Sequence, residues 1–202
     1  MAMMPARMFA QAIKSGAHHL WNPFLETPFG RSLTAAADVF EQVTRRYGKP
    51  DWNLPTTVID GKPVPVEEEV LIKRTYCHLL HFRRDSARKD PKLLIAAPLS
   101  GHFATLLRGT VEAMLPDHDV YVTDWQDCRL IPVTSDRFNL DDYIDYIVDF
   151  LHFLGPNTHV LAVCQPSVPV LAAVSVMSGW GDLCAPASMT LISTGAPEAA
   201  EC

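Results

Sequence analysis

Little in this chain is suited to crosslinking, metal binding or membrane insertion. Its five cysteines, Cys77, Cys128, Cys164, Cys184 and Cys202, are scattered, odd in number and form no C-x-x-C pair. That argues against a disulfide framework and a zinc site, implies no metal or other cofactor, and points to a reducing, cytoplasmic setting. Long hydrophobic runs are missing too. Leu93–Leu99 and Val160–Cys164 are far too short to cross a bilayer, so no membrane span is expected. The opening residues MAMMPARMFAQAIKSGAHHLW lack a compact apolar stretch followed by a small-residue cleavage site, so no secretory signal is read. There is no basic block and the net charge is -6, which argues against nucleic acid as a ligand. No internal repeat or low-complexity tract occurs.

What is present fits one globular domain with a real core: 202 residues, 48% of them hydrophobic. Residues 1–50 carry helical spacing (Leu33, Ala36, Ala37, Phe40, Val43) and stop at Tyr47-Gly48-Lys49-Pro50. Residues 51–66 are proline-rich and read as a linker leading into strands. Strands and helices then alternate. Val70–Arg74 and Cys77–Arg83 suit an antiparallel pair, and Leu93–Pro98 a buried parallel strand. A helix over His102–Leu115 is expected to bury Phe103, Leu106, Leu107, Val111 and Met114. Asp119–Trp125 is the next strand. The clearest helix spans Leu140–Leu154, with Asn139 as N-cap, Asp141 and Asp142 in its first turn and Gly155-Pro156 closing it. A strand His159–Val163, a helix from Pro166 to Met177 and a strand Ser188–Ser193 complete the alternation. The pattern predicts a mostly parallel sheet with helices on both faces, binding ligands beyond the carboxyl ends of its strands.

Chemistry concentrates at Cys164-Gln165-Pro166. A buried strand runs into a polarisable nucleophile and a helix begins at once, the context of a nucleophile elbow. The helix N-terminus favours the thiolate, and the Gln165 N–H is placed to donate to a developing oxyanion. Ala162 and Pro166 stand where the usual G-x-S-x-G elbow has glycines. Taken alone, a cysteine after an apolar strand is more often a small buried hydrophobe. A second loop, Ser100-Gly101-His102, follows another strand and opens another helix, the position that supplies an oxyanion-hole N–H. The plainer reading of it is a turn with a helix cap. His78 and His81 read as structural, and Asp124 and Asp127, which flank Trp125, as either site-lining or simply solvated.

From about Phe24 to Ser193 the sequence resembles the intracellular polyhydroxybutyrate (polyhydroxyalkanoate) depolymerases. The likeness rests on TPFGRSLTAAADVFEQVTRRYGKP, YCHLLHFRR, APLSGHFATLLRGTVEAMLPDHDVYVTDW, FNLDDYIDYIVDFLHFLGPNTHVLAVCQPSVPVLAAV and SMTLIS. It implies an α/β-hydrolase fold, an incomplete one here, with a helical N-terminal segment and linker over 1–66 and the N-terminal part of the hydrolase domain over 67–202. It implies hydrolysis of cytoplasmic 3-hydroxyacid polyester, with the granule surface as a further partner and Cys164 as nucleophile. In that family an Asp and a His follow the nucleophile. Here the last histidine, His159, precedes it, so the resemblance implies a C-terminally truncated member with impaired activity. Two other readings stay open: a polyester synthase-like acyltransferase, and an inactive remnant that binds granules or a full-length homologue.

Overall fold

The computed structural model describes residues 27–44, 48–99, 103–135 and 137–192. The chain divides into two units, Met1–Gly48 and Lys49–Cys202. The first holds helix α1, Pro28–Thr44. It starts where the sequence supplies both parts of a start signal. The Thr27 hydroxyl accepts the Gly30 N–H at 3.1 Å, and Pro28 takes the first helical position, where no N–H is needed.

The second unit is built on a seven-stranded sheet: β1 (Thr56–Ile59), β2 (Lys62–Lys73), β3 (Cys77–Arg84), β4 (Lys92–Ala96), β5 (Asp119–Trp125), β6 (Thr158–Val163) and β7 (Ser188–Ile192). The spatial order is β1-β2-β3-β5-β4-β6-β7. β1, β2, β3 and β5 pair antiparallel in succession, while β5, β4, β6 and β7 pair parallel. This mixed, mostly parallel sheet with flanking helices is consistent with the incomplete α/β-hydrolase fold that the sequence implied. Helices α2 (Arg108–Met114), α3 (Leu140–Leu154) and α4 (Ser167–Gly179) form the connections. From β4 the chain crosses to β5 on one side. From β6 it crosses to β7 on the other. Right-handed crossovers put α2 on one face of the sheet and α3 with α4 on the opposite face, and leave a switch point between β4 and β6.

Two elements differ from their expected form, each for a local reason. β2 is far longer than Val70–Arg74 and runs through Pro63 and Pro65. Before its bulge at Val70–Ile72, the backbone N–H and carbonyl groups of odd-numbered residues face β3, as shown by the Pro65 carbonyl accepting from Asp85 N–H. Both prolines pair with β1, opposite Val58 and Thr56, but their nitrogens face the β3 side, and the β3 ladder begins only at Val66, so the β1 ladder needs neither missing N–H. The helix expected over His102–Leu115 opens instead as a 3-10 turn, Ala104–Leu107, before α2. The tighter turn aligns Ala104 with Leu107, and the α-helical part then aligns Val111 and Leu115. These four are buried and Leu106 is left 60% exposed. His102 lies outside the described residues.

The core sits on the central strands. Leu94, Ile95, Ala96, Val120, Val122 and Ala162 are fully buried, as expected of parallel strands covered on both faces. α3 lays Tyr143, Ile147, Phe150, Leu151 and Leu154 against them. Phe150 is fully buried, while Leu140 at the helix start is exposed. The N-terminus of α3 is a reciprocal cap: Asn139 Oδ1 accepts from Asp141 and Asp142 N–H, and the Asp142 carboxylate accepts the Asn139 N–H at 2.7 Å. We predict that Asn139→Ala lowers unfolding free energy by ~1 kcal/mol and Phe150→Ala by about 3–5 kcal/mol. Urea denaturation followed by circular dichroism measures both. Equal losses would show that the cap, not the packed face, holds α3.

Candidate active site

β6 is in register with β4 from Lys92–Thr158 to Ala96–Ala162, and with β7 from His159–Ser188 to Val163–Ile192. At the next residue the strand breaks. Cys164 has φ +67°. The other described non-glycine residues with positive φ are Asn53, Asp60 and Asn157, types whose short polar side chains tolerate that region. Cys164 has no such excuse, and its conformation is imposed by its neighbours. Its N–H donates to the Ile192 carbonyl at 2.6 Å, and its own carbonyl accepts from Ser167 N–H at 3.1 Å. β7 holds the residue from one side and the first turn of α4 from the other. The side chain is exposed and not disulfide-bonded.

The two missing glycines are explained by this geometry. Ala162 lies in regular strand, fully buried, and Pro166 has φ −60°, the value its ring imposes. Neither position needs positive φ. Pro166 also brings no N–H to the start of α4. Among the described residues the Gln165 N–H has no backbone acceptor. With the N-terminus of the 13-residue α4 behind it, the turn carries N–H groups and positive dipole beside the sulfur.

Ser100, Gly101 and His102 lie outside the described residues. The start of their loop does not: the Leu99 N–H donates to the Gln165 side-chain Oε1 at 2.8 Å. The first residue of that loop therefore lies against the turn after β6. The other flank of this segment is fixed by residues for which the sequence showed no signal. Ala97 N–H donates to Thr123 Oγ1 at 2.8 Å, and Trp125 Nε1 donates to the Ala97 carbonyl at 2.8 Å. Both contacts are buried.

Strand register places His78, His81 and His159 away from Cys164. His159 lies five residues earlier on β6, about 16 Å down the strand, and its Nδ1 meets Ser188 Oγ at 2.7 Å. His152 follows the same edge of the sheet and pairs with Asp182 at 2.5 Å. His81 pairs with Asp119 at 2.8 Å and stacks on Tyr121. His78 is on β3, three strands from β6, on the order of 14 Å across. Asp124 is buried two strands away and pairs with Lys49 at 2.6 Å, while Asp127 caps a 3-10 turn and pairs with Arg129. Among the described residues no group of three or more His, Cys, Asp or Glu side chains is arranged to hold a metal ion, and no helix is long and apolar enough to cross a membrane.

No protein-family model and no curated protein matches the chain. Among solved structures it is similar to naproxen esterase (carboxylesterase NP) from Bacillus subtilis, with TM-score 0.44 and 15% identity over 63% of this chain and 42% of that one. It is also similar to brefeldin A esterase, a bacterial homologue of human hormone-sensitive lipase, with TM-score 0.43 and 14% identity over 77% of this chain and 45% of that one. The chain spans less than half the length of either structure.

If the turn at Cys164 is strained, replacing its side chain with none should relieve it. We predict that Cys164→Gly is more stable than Cys164→Ala by about 1 kcal/mol, because only glycine occupies positive φ without steric cost. Paired urea melts decide this. A Gly variant no more stable than the Ala variant would mean that the left-handed conformation costs nothing.

Proposed function

We propose that the chain is a depolymerase-type carboxylic ester hydrolase acting on polyhydroxyalkanoate polyester, with Cys164 as its nucleophile. One observation carries the reading: an exposed cysteine held at φ +67° between a buried parallel strand and a helix N-terminus, at the switch point of the sheet. A packed hydrophobic cysteine would not be held there. Strain at a single non-glycine residue in such a turn is characteristic of a reacting group.

The chemistry follows from the surroundings. The Cys164 thiolate adds to the ester carbonyl, and the carbonyl oxygen becomes an oxyanion. The Gln165 N–H and an N–H of the Ser100-Gly101-His102 loop stabilise that charge. Collapse breaks the acyl–oxygen bond. The alcohol end of the polymer leaves with a proton and the acyl group stays on sulfur as a thioester, which water then hydrolyses. Both proton transfers call for a general base and acid. His102 is the histidine of this sequence adjoining the oxyanion loop, and we assign it as the candidate. Leu106 and Val168 support an apolar, uncharged substrate. They are 60% and 66% exposed, each within the first turn after one of the two loops. A polyester of short hydroxyacids is such a substrate, and granule association would follow from the same apolar rim. The runner-up reading, a module that binds polyester without turnover, is favoured by the register that carries His152 and His159 to the far end of the sheet.

We predict a burst of p-nitrophenol from p-nitrophenyl butyrate, one equivalent per chain, followed by slow turnover, with release of hydroxyacid from amorphous polyhydroxybutyrate. Cys164→Ala should abolish both. His102→Ala should lower turnover by ~10²–10⁴-fold while leaving iodoacetamide labelling of Cys164 in place. Binding of polyester with no burst would favour the non-catalytic module. A burst that survives Cys164→Ala would remove the nucleophile assignment.

We predict too that iodoacetamide labels Cys164 faster than Cys128 near neutral pH. Both are exposed, but only Cys164 precedes a long helix. Peptide mass spectrometry over a time course reads the two rates. A faster Cys128 would show that the helix terminus does not activate the thiol.

A further inference from the structure

The parallel ladder between β4 and β6 ends at Ala96–Ala162. Three residues beyond each partner come Leu99 and Gln165. They would face each other if both chains stayed extended. They do not stay extended, because Cys164 turns to positive φ and the chain enters α4. Ala97 turns its N–H and carbonyl to the β5 side, and Leu99, two residues on, has the same parity, so the ladder with β6 would offer its N–H no main-chain carbonyl. The Leu99 N–H is nonetheless satisfied, by the Gln165 side-chain oxygen at 2.8 Å. On the opposite flank the ladder with β5 ends at Ile95–Val122. There too side chains take over, with Thr123 Oγ1 and Trp125 Nε1 gripping the N–H and carbonyl of Ala97. The three residues after β4 are thus held from both sides by side chains standing in for strand backbone.

We propose that Gln165 is a positioning residue, whose side-chain oxygen locks the oxyanion loop to the nucleophile turn through the Leu99 N–H. This rests on the reading of Cys164 as nucleophile and of Ser100–His102 as the source of an oxyanion donor. It goes beyond that reading, because there Gln165 contributes only its backbone N–H. The two donors come from different loops and must converge on one oxygen. Oxyanion stabilisation depends on donors fixed in advance. The Leu99 bond fixes the backbone at the point where β4 leads into the oxyanion loop. A neutral amide suits the task. A carboxylate would accept the same hydrogen bond but would set a negative charge beside the thiolate and the developing oxyanion.

The test compares the full chain with Gln165→Met, which keeps length and loses the acceptor, and Gln165→Glu, which keeps an acceptor oxygen. Gln165→Asn, too short to reach, serves if the Met variant does not fold. Three readouts are followed: deuterium exchange at the Leu99 amide, iodoacetamide alkylation of Cys164, and the p-nitrophenyl butyrate burst. The Met variant should exchange Leu99 about tenfold faster. It should also acylate about tenfold more slowly, less than the full loss of one oxyanion donor. Its alkylation rate should stay at the wild-type value, since alkylation builds no oxyanion. The Glu variant should keep Leu99 protected. Wild-type exchange and burst in the Met variant overturn the inference and leave the esterase reading standing. An altered alkylation rate in step with the burst overturns it too, by showing that the turn itself has moved. If the wild-type chain shows no burst, the esterase reading falls and takes the positioning role with it, whatever Leu99 does.

Discussion

The parallel ladder between β4 and β6 sets the height of everything at the carboxyl edge of the sheet. Its register, Ala96 opposite Ala162, fixes two chain exits at one level. One leads to the loop at Leu99 and the other to Cys164. Had the strands slipped by one residue, each side chain would have changed face and the two exits would no longer meet. The neighbouring ladders matter through this one. β5 supplies Thr123 and Trp125 to the end of β4, and β7 supplies the Ile192 carbonyl that holds Cys164. Each strand that borders the pair lends one or two contacts to the turn between them.

Such a turn costs free energy. A cysteine in the left-handed region loses on the order of 1–3 kcal/mol, a large share of the ~5–15 kcal/mol by which a domain is stable. The cost is met away from the turn, in the apolar layers between the sheet and its helices. Phe150, Ile147 and Leu151 on α3, Val170, Ala173 and Met177 on α4, and Val111 on α2 are all fully buried. α4 also exposes Val168 and Leu171, three residues apart on one face. Rigid layers below and a strained residue above are two parts of one arrangement.

Much of this was legible in the sequence because several local signals agreed. Asn139, Asp142 and Gly155 mark the ends of α3, and the short apolar run Leu93–Pro98 suits a buried parallel strand. The turn at Cys164 was legible from its context, an apolar strand stopped by cysteine and followed at once by a helix start. Less could be read where side chains do what backbone usually does. Nothing in the spacing of Thr123, Trp125 or Gln165 reveals that they cap the ends of ladders, because each contact links residues far apart in the chain and has no period. The length of β2 was hidden by Pro63 and Pro65, which count against a strand unless one knows which way their nitrogens face. The helix after the Ser100 loop was misjudged by a change of period within four residues, a 3-10 turn that moved Leu106 out of the core and Leu115 into it.

Cys77 carries a different implication. It is fully buried on β3, in the interior of the sheet, and burial pushes its thiol well above the ordinary range, with the Asp124 carboxylate acting in the same sense. No reagent in solution meets it, and it has little tendency to ionise if one did. Chemistry at that sulfur has to wait until β3 parts from β2 and β5. The molecule therefore holds two clocks in one kind of atom. The sulfur at the rim keeps the time of encounters with solvent, and the sulfur in the sheet keeps the much slower time of the fold coming open.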